Sequence, residues 1–226
     1  MKGTVISFLN QKGGCGKTTA SINLAAMLDS LGYVVELVNL DPQGTALDWA
    51  TTRANVRGED AALFRVSQMG TNIKGEIGAV KRAADFVIVD GAPQVQALTI
   101  AAIKASDIVV VPVQPTQADV WATDVVVDII KELHELREKQ DPATYFMVSR
   151  VLKTSKEAAT IADALREGYG LPVLKGRTTQ KLDYQRVFEA GGSVVDLDEQ
   201  NQARHEIKML AKELIAISKE IKDADR

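Results

Sequence analysis

The chain predicts an α/β fold: a doubly wound, mostly parallel sheet flanked by helices on both faces. Three observations carry this. Short apolar runs alternate along the 226 residues with longer segments of helical periodicity, the pattern of strands joined by crossover helices. Several runs, such as Val109-Val110-Val111, are continuous rather than alternating, as strands buried on both faces require. The first run, Val5 to Leu9, leads into a glycine-rich turn and then a helical pattern, an order that places a ligand crevice at the carboxyl ends of the strands.

Strands are expected over 4–10, 34–41, 63–68, 86–90, 108–114, 144–150 and 172–175. Helices fit best over 17–31, 45–53, 73–84, 94–104, 118–139, 156–167, 183–190 and 202–222. No linker, repeat or low-complexity stretch divides them, so residues 1–226 read as a single domain.

The first strand is followed by Asn10-Gln11-Lys12-Gly13-Gly14-Cys15-Gly16-Lys17-Thr18-Thr19. A glycine-rich loop between strand and helix cradles phosphate, because its N–H groups turn inward and the helix N-terminus adds partial positive charge. Lys17 can reach β- and γ-phosphates, and the Thr18 hydroxyl can ligate Mg²⁺. Cys15 fills a variable slot and reads as a small packing residue rather than a nucleophile. The second strand, apolar except for Glu36 and Asn39, ends in Asp41-Pro42-Gln43-Gly44. That sequence is an ordinary turn signal, but it also puts a carboxylate in the same crevice. The fourth strand gives Asp85-Phe86-Val87-Ile88-Val89-Asp90-Gly91-Ala92-Pro93, a hydrophobic strand ending in an acid suited to hold Mg²⁺.

The phosphate loop departs from the usual pattern by having Gln11 where glycine is expected and an extra lysine, Lys12. The form Lys-Gly-Gly-x-Gly-Lys-Thr-Thr resembles the deviant Walker A motif of the ParA/MinD family of ATPases. Asp41-Pro42-Gln43-Gly44, the Walker B-like Asp90 and the run from Val109 to Thr116 extend the likeness over most of the chain, towards the small, ParF-like plasmid-partition ParA proteins.

The resemblance implies a Mg²⁺-dependent ATPase with weak intrinsic activity. ATP would sit on Lys12, Gly13, Gly14, Cys15, Gly16, Lys17, Thr18 and Thr19, with Arg150 and Pro172 towards the base. Mg²⁺ would be held by Thr18 and Asp90, and Lys12, Lys17 and Asp41 would carry catalysis. Asp41 would position or activate the attacking water. Lys12 would reach the partner's nucleotide in an ATP-dependent homodimer. Relatives often carry a further aspartate where this chain has Asn39.

Between 150 and 186 eight basic residues face four acids, whereas the whole chain has a net charge of −3. Phosphate contacts of that kind carry no sequence information. They can equally be solvated surface charge. The resemblance tips the balance to nonspecific double-stranded DNA, with Lys153, Lys156, Arg177, Lys181 and Arg186 as the contact residues. A cargo adaptor protein would stimulate hydrolysis, and the cargo would be a plasmid partition complex or a protein assembly such as a carboxysome or chemoreceptor cluster.

Other classes are weighed against this one. A membrane-cycling ATPase of the MinD type, placing division sites or flagella, would end in a basic amphipathic helix. Here the stripe of Ile207, Leu210, Leu214, Ile217 and Ile221 has no aromatic residues and reads as core packing. A metabolic ligase on the same fold would need a differently spaced phosphate loop. A non-hydrolysing module would not need Lys17, Thr18, Asp41 and Asp90 together. The start of the chain leaves no room for an operator-reading domain and carries no signal peptide. The single cysteine excludes an internal disulfide and a cysteine-rich metal site. No apolar run reaches membrane-spanning length. The expectation is a cytoplasmic, nucleoid-associated protein with no membrane partner.

Overall fold

The computed structural model describes residues 3–58, 61, 63–135, 142–152 and 155–224, with the side chains of 155–157 left aside. Six strands form one sheet: β1 (Thr4–Phe8), β2 (Val35–Asn39), β3 (Arg65–Gln68), β4 (Phe86–Asp90), β5 (Ile108–Val113) and β6 (Ala143–Val148). Their order is β3-β2-β4-β1-β5-β6, and every neighbouring pair is parallel. The helices are α1 (Lys17–Ser30), α2 (Thr45–Arg57), α3 (Ile73–Ala83), α4 (Gln96–Ala105), α5 (Gln117–Trp121), α6 (Asp124–Glu135), α7 (Ser155–Tyr169), α8 (Leu182–Glu189) and α9 (Gln202–Ala224).

The period of two along each strand sends alternate side chains to opposite faces. Ile6, Phe8, Leu37, Ile88 and Val110 join one core with residues of α1, α2, α8 and α9. Val5, Leu9, Val38, Val87, Val89 and Val111 join the other with α3, α4, α6 and α7. All five central-strand residues Val87, Ile88, Val89, Val109 and Val110 are fully buried, which accounts for the unbroken apolar runs. The apolar stripe of α9 is spent in the same way: Ile207, Leu210 and Leu214 are buried against α1, and Ile221 packs at the edge of that core. Among the described residues no helix is long and apolar enough to cross a membrane.

Three expected elements differ. The helix over 118–139 is broken between Trp121 and Asp124, and its last four residues lie outside the described residues. The Val120 carbonyl accepts from the Thr123 amide at 3.0 Å, the Thr123 hydroxyl at 2.5 Å and the Tyr169 hydroxyl at 3.0 Å, which closes the turn early. The strand over 172–175 is reduced to isolated parallel bridges, Phe146 to Val173 and Val151 to Thr179. Beyond Leu174 three backbone amides turn to α9 instead: Lys175 and Gly176 donate to the Glu213 carboxylate at 2.9 and 2.7 Å, and Thr179 donates to Glu206 at 2.9 Å. The helix expected from Gln94 begins at Gln96, because Gln94 has a left-handed φ of 55°.

Candidate active site

The chain leaves β1 and turns over residues 9–16 into α1. Gly14 and Gly16 have φ of 74° and 94°, a region open to glycine at little steric cost. Gly16 is the N-cap of α1, and the first turn has neither a capping side chain nor an acid. Its amides and the positive end of the helix dipole are therefore free to meet an anion.

The loop is braced by the neighbouring strand ends. The Lys12 amide donates to Asn10 Oδ1 at 2.9 Å, and Asn10 Nδ2 donates to the Pro112 carbonyl at 2.8 Å. Gln114 and Arg150 both donate to the Gly14 carbonyl at 2.9 Å. Ser149 Oγ donates to the Cys15 carbonyl at 2.7 Å. Arg150 has φ of 52°, an unusual conformation for a side-chain-bearing residue, and it brings the guanidinium onto the loop.

The two lysines are held differently. Lys17 is buried, and its ammonium donates to the Lys12 carbonyl at 2.9 Å while lying 3.8 Å from Cys15 Sγ. The Lys12 ammonium lies 2.7 Å from Asp119 Oδ1; the lysine side chain is 37 % exposed and the aspartate only 4 %. Burial pushes the Cys15 thiol above its ordinary pKa despite the nearby Lys17 charge, which suits packing rather than nucleophilic chemistry.

Opposite the loop, Asp90 ends β4 and is fully buried. One carboxylate oxygen lies 3.4 Å from Ser21 Oγ, and the other has no hydrogen-bond partner. Burial pushes its pKa up to about 7; the Thr18 hydroxyl and the Lys17 charge pull it down, and the Asp41 charge adds to the rise. An unsatisfied buried carboxylate oxygen beside a threonine hydroxyl fits a divalent cation, which removes the desolvation penalty by supplying the missing positive charge. Among the described residues no cluster of three or more acids, histidines or cysteines could hold a metal by itself. A Mg²⁺ ion here would rest on Asp90, Thr18 and the oxygens of a bound phosphate.

Asn39 pairs in register with Asp90 on the adjacent strand. Its amide nitrogen donates to the Asp41 carbonyl at 2.7 Å and to Gln68 Oε1 at 2.5 Å, while its own oxygen is buried without a partner. Asp41 follows on the turn into α2, half-buried, with one carboxylate oxygen accepting from the Gln43 amide at 3.0 Å. Gly91 closes the site: its amide donates to the Phe8 carbonyl at 3.1 Å, and a Cβ there would stand 2.6 Å from that oxygen. The Gln94 amide donates to the Gln11 carbonyl at 3.2 Å, so the loop after β4 rests directly on the phosphate loop.

Thus Lys12, Gly13, Gly14, Cys15 and Gly16 form one turn that runs into Lys17, Thr18 and Thr19 at the start of α1, with Asp90, Asp41 and Arg150 around it. Pro172 is placed differently: it is exposed, and its carbonyl accepts from Phe146 midway along β6, short of the loop end of the sheet. Thr178 is the member of that segment at the site, its hydroxyl accepting from the Arg150 amide at 3.2 Å. Of the basic residues, Arg177 and Arg186 are exposed and Lys181 is half-buried. Lys153 lies outside the described residues, and Lys156 falls on α7 with its side chain likewise outside them. Neither Asp119 nor Gln114 stands out in the sequence, whereas Ser149-Arg150 ends the run from Tyr145 that resembles the family's strand towards the base. Only the pattern Thr116-x-x-Asp119 after a strand, a helix-capping signature, marks Asp119 in advance.

Residues 3–57 and 45–144 match a family model described as an AAA domain. The Maintenance of carboxysome distribution protein A of Halothiobacillus neapolitanus is 29 % identical over 95 % of this chain and 97 % of its own length. The Sporulation initiation inhibitor protein Soj of Bacillus subtilis is 29 % identical over 70 % of this chain and 75 % of its own. The ATP complex of Cyanothece McdA shares the fold with a TM-score of 0.75 at 16 % identity, over 96 % of this chain and 97 % of that one. With the deviant phosphate loop, the strand-end Asp90 and the all-parallel sheet in place, the chain belongs to this AAA-domain family, among its ParA/MinD-type P-loop ATPases.

Proposed function

We propose that the chain is a positioning ATPase that counts its own dimers with ATP. Mg²⁺–ATP settles on the amides of residues 13–19. Lys17 turns from the Lys12 carbonyl to the β- and γ-phosphates, and Thr18 and Asp90 hold the metal. When bound, Mg²⁺ neutralises charge on the β- and γ-phosphate oxygens. Two protomers then close face to face, and Lys12 of each reaches the other's nucleotide. Asp41 orients the water for attack.

The ATP-bound dimer binds nonspecific double-stranded DNA through Arg177, Lys181 and Arg186, together with Lys153 and Lys156. An adaptor on the cargo stimulates an otherwise slow hydrolysis and releases the dimer locally, so that the cargo follows the remaining gradient. The relative named for maintenance of carboxysome distribution supports a protein assembly as cargo, and the Soj relatives, one of them named as a chromosome-partitioning ATPase, support a DNA partition complex.

The single observation that carries the proposal is Lys12: a second loop lysine whose side chain is part-exposed while Lys17 is buried over the same turn. A membrane-cycling function is disfavoured, because the apolar stripe of α9 is already packed against the sheet and α1. The test is binding to a nonspecific duplex without nucleotide, with Mg²⁺–ADP and with Mg²⁺–ATP, at two salt concentrations. Salt-sensitive binding only with ATP is the expected result. No binding in any state overturns the DNA-based reading and moves attention to liposome pelleting.

A further inference from the structure

Lys12 is not a free lysine. Its carbonyl accepts from Lys17, its amide is held by Asn10, and its ammonium lies 2.7 Å from Asp119 on α5. Asp119 is itself fixed by Thr116, the N-cap of α5: the Thr116 hydroxyl donates to Asp119 Oδ2, and the Asp119 amide donates back to Thr116 Oγ at 3.2 Å. One carboxylate oxygen is thus committed to the helix cap, and the other faces Lys12. With the lysine in place the Asp119 residue is only 3 % exposed, so the ammonium is the positive charge set against a buried carboxylate. Breaking a buried ion pair from one side strands the remaining charge, and that loss is larger than the pair's own net worth. The same strand-to-helix segment also grips the loop through Gln114, which donates to the Gly14 carbonyl at 2.9 Å.

We infer that Asp119 is a positioning residue that holds Lys12 within its own protomer and sets the protein concentration at which the ATP-bound dimer forms. The lysine has one ammonium and two competing anions: Asp119 in cis and the partner's phosphate in trans. A phosphate wins only when nucleotide fills the site and a second protomer is present, so the ion pair suppresses dimers at low concentration. This inference rests on the cross-dimer role proposed for Lys12.

The test measures the dimer dissociation constant by sedimentation with Mg²⁺ and the non-hydrolysable analogue AMPPNP. Asp119→Asn keeps an oxygen for the Thr116 hydroxyl and removes the charge; the expected result is a dimer formed at roughly tenfold lower protein concentration. Thr116→Val acts in the opposite sense. It takes away the other donor to Asp119, leaves the carboxylate more dependent on Lys12, and raises the concentration needed. In a second readout, peptide mass spectrometry after limited acylation of the nucleotide-free protein, Lys12 reacts several-fold faster in Asp119→Asn than in the wild type. An unchanged or weaker Asp119→Asn dimer, with Lys12→Ala unable to dimerise, overturns the role of Asp119 and leaves the cross-dimer lysine standing. A Lys12→Ala protein that dimerises normally overturns the cross-dimer reading itself, and the inference with it.

Discussion

Asn39 and Asp90 are register partners on adjacent central strands, and each buries one side-chain oxygen without a hydrogen-bond partner. Sheets seldom leave two such atoms side by side, because an unsatisfied buried acceptor costs on the order of 1–3 kcal/mol. The pair sits at the carboxyl end of the sheet, beside Thr18 and Ser21 of the first helix, where a cation and its water would meet both oxygens. A cation bound there would offset that cost. An amide at position 39 contributes a lone pair without adding a second negative charge to that of Asp90.

This has a pH consequence. An acid whose pKa rises on folding, here to about 7 for Asp90, binds a proton on folding between its unfolded value and that raised one. Stability of the nucleotide-free protein therefore falls as pH rises through that window, and the full penalty is present above pH 7. The charged groups facing Asp90 are Lys17, which opposes the rise, and Asp41, which adds to it. Asp90→Asn removes the penalty: the variant should melt roughly 5 °C above wild type at pH 8, with the gap closing towards pH 5. Calorimetry without nucleotide across that range checks this, and an equal gap at both pH values would refute it. The same variant should lose the Mg²⁺ dependence of nucleotide binding, while wild-type Mg²⁺ affinity should climb as pH passes 7.

Lys17→Ala tests the phosphate loop directly. The Lys17 ammonium donates to the Lys12 carbonyl and lies near Cys15 Sγ, neutral contacts that it can exchange for phosphate oxygens. A charge-assisted bond of this kind contributes about 1.5–3 kcal/mol, so ATP affinity should drop by roughly 10- to 150-fold. Equilibrium binding of a fluorescent ATP analogue measures it. Undiminished binding would remove the loop from the nucleotide site.

How much of this is legible in the sequence follows from the range of the forces involved. β4 and β5 can be read because a strand buried on both faces is apolar along nearly its whole length, a local property. The phosphate loop can be read because it is contiguous. The break after Trp121 cannot be read in full, since one of the three donors to the Val120 carbonyl, Tyr169, reaches it from 49 residues away. Nor can the loss of the strand at 172–175, where carboxylates of α9 take the amides that a seventh strand would have used. The different placement of Pro172 follows from the same segment. Asp119 escapes a sequence reading for a related reason: its capping pattern is local, but its partner Lys12 is brought to it only by the parallel pairing of β1 with β5.

Replacing Arg177, Lys181 and Arg186 by alanine, singly and together, should weaken the ATP-dependent DNA complex equally on unrelated duplex sequences. Every side chain that neutralises a DNA phosphate should, on its removal, lower the slope of log affinity against log salt by about 0.9. Arg177 and Arg186 are exposed, so their substitution should leave the melting temperature within about 1 °C of wild type. Salt-titrated anisotropy on two duplexes decides it. An unaltered slope in the triple variant would place the DNA surface elsewhere.

Asp41→Ala separates assembly from hydrolysis. Among the described residues the Asp41 carboxylate accepts from the Gln43 amide of its own turn, a local contact whose loss the fold should tolerate. In the proposed site nothing it does is needed to seat the phosphates, which would rest on the amides of residues 13–19 and on Lys17. A residue that positions the attacking water should instead affect the chemical step, by roughly 100-fold or more. The expected protein binds ATP normally, dimerises, and stays on DNA after wild type has released, because its clock has stopped. Single-turnover hydrolysis and DNA dissociation kinetics, measured on the same preparation, read the two halves separately. Slow hydrolysis with prompt release would uncouple the DNA cycle from the nucleotide, and hydrolysis at the wild-type rate would take Asp41 out of the mechanism.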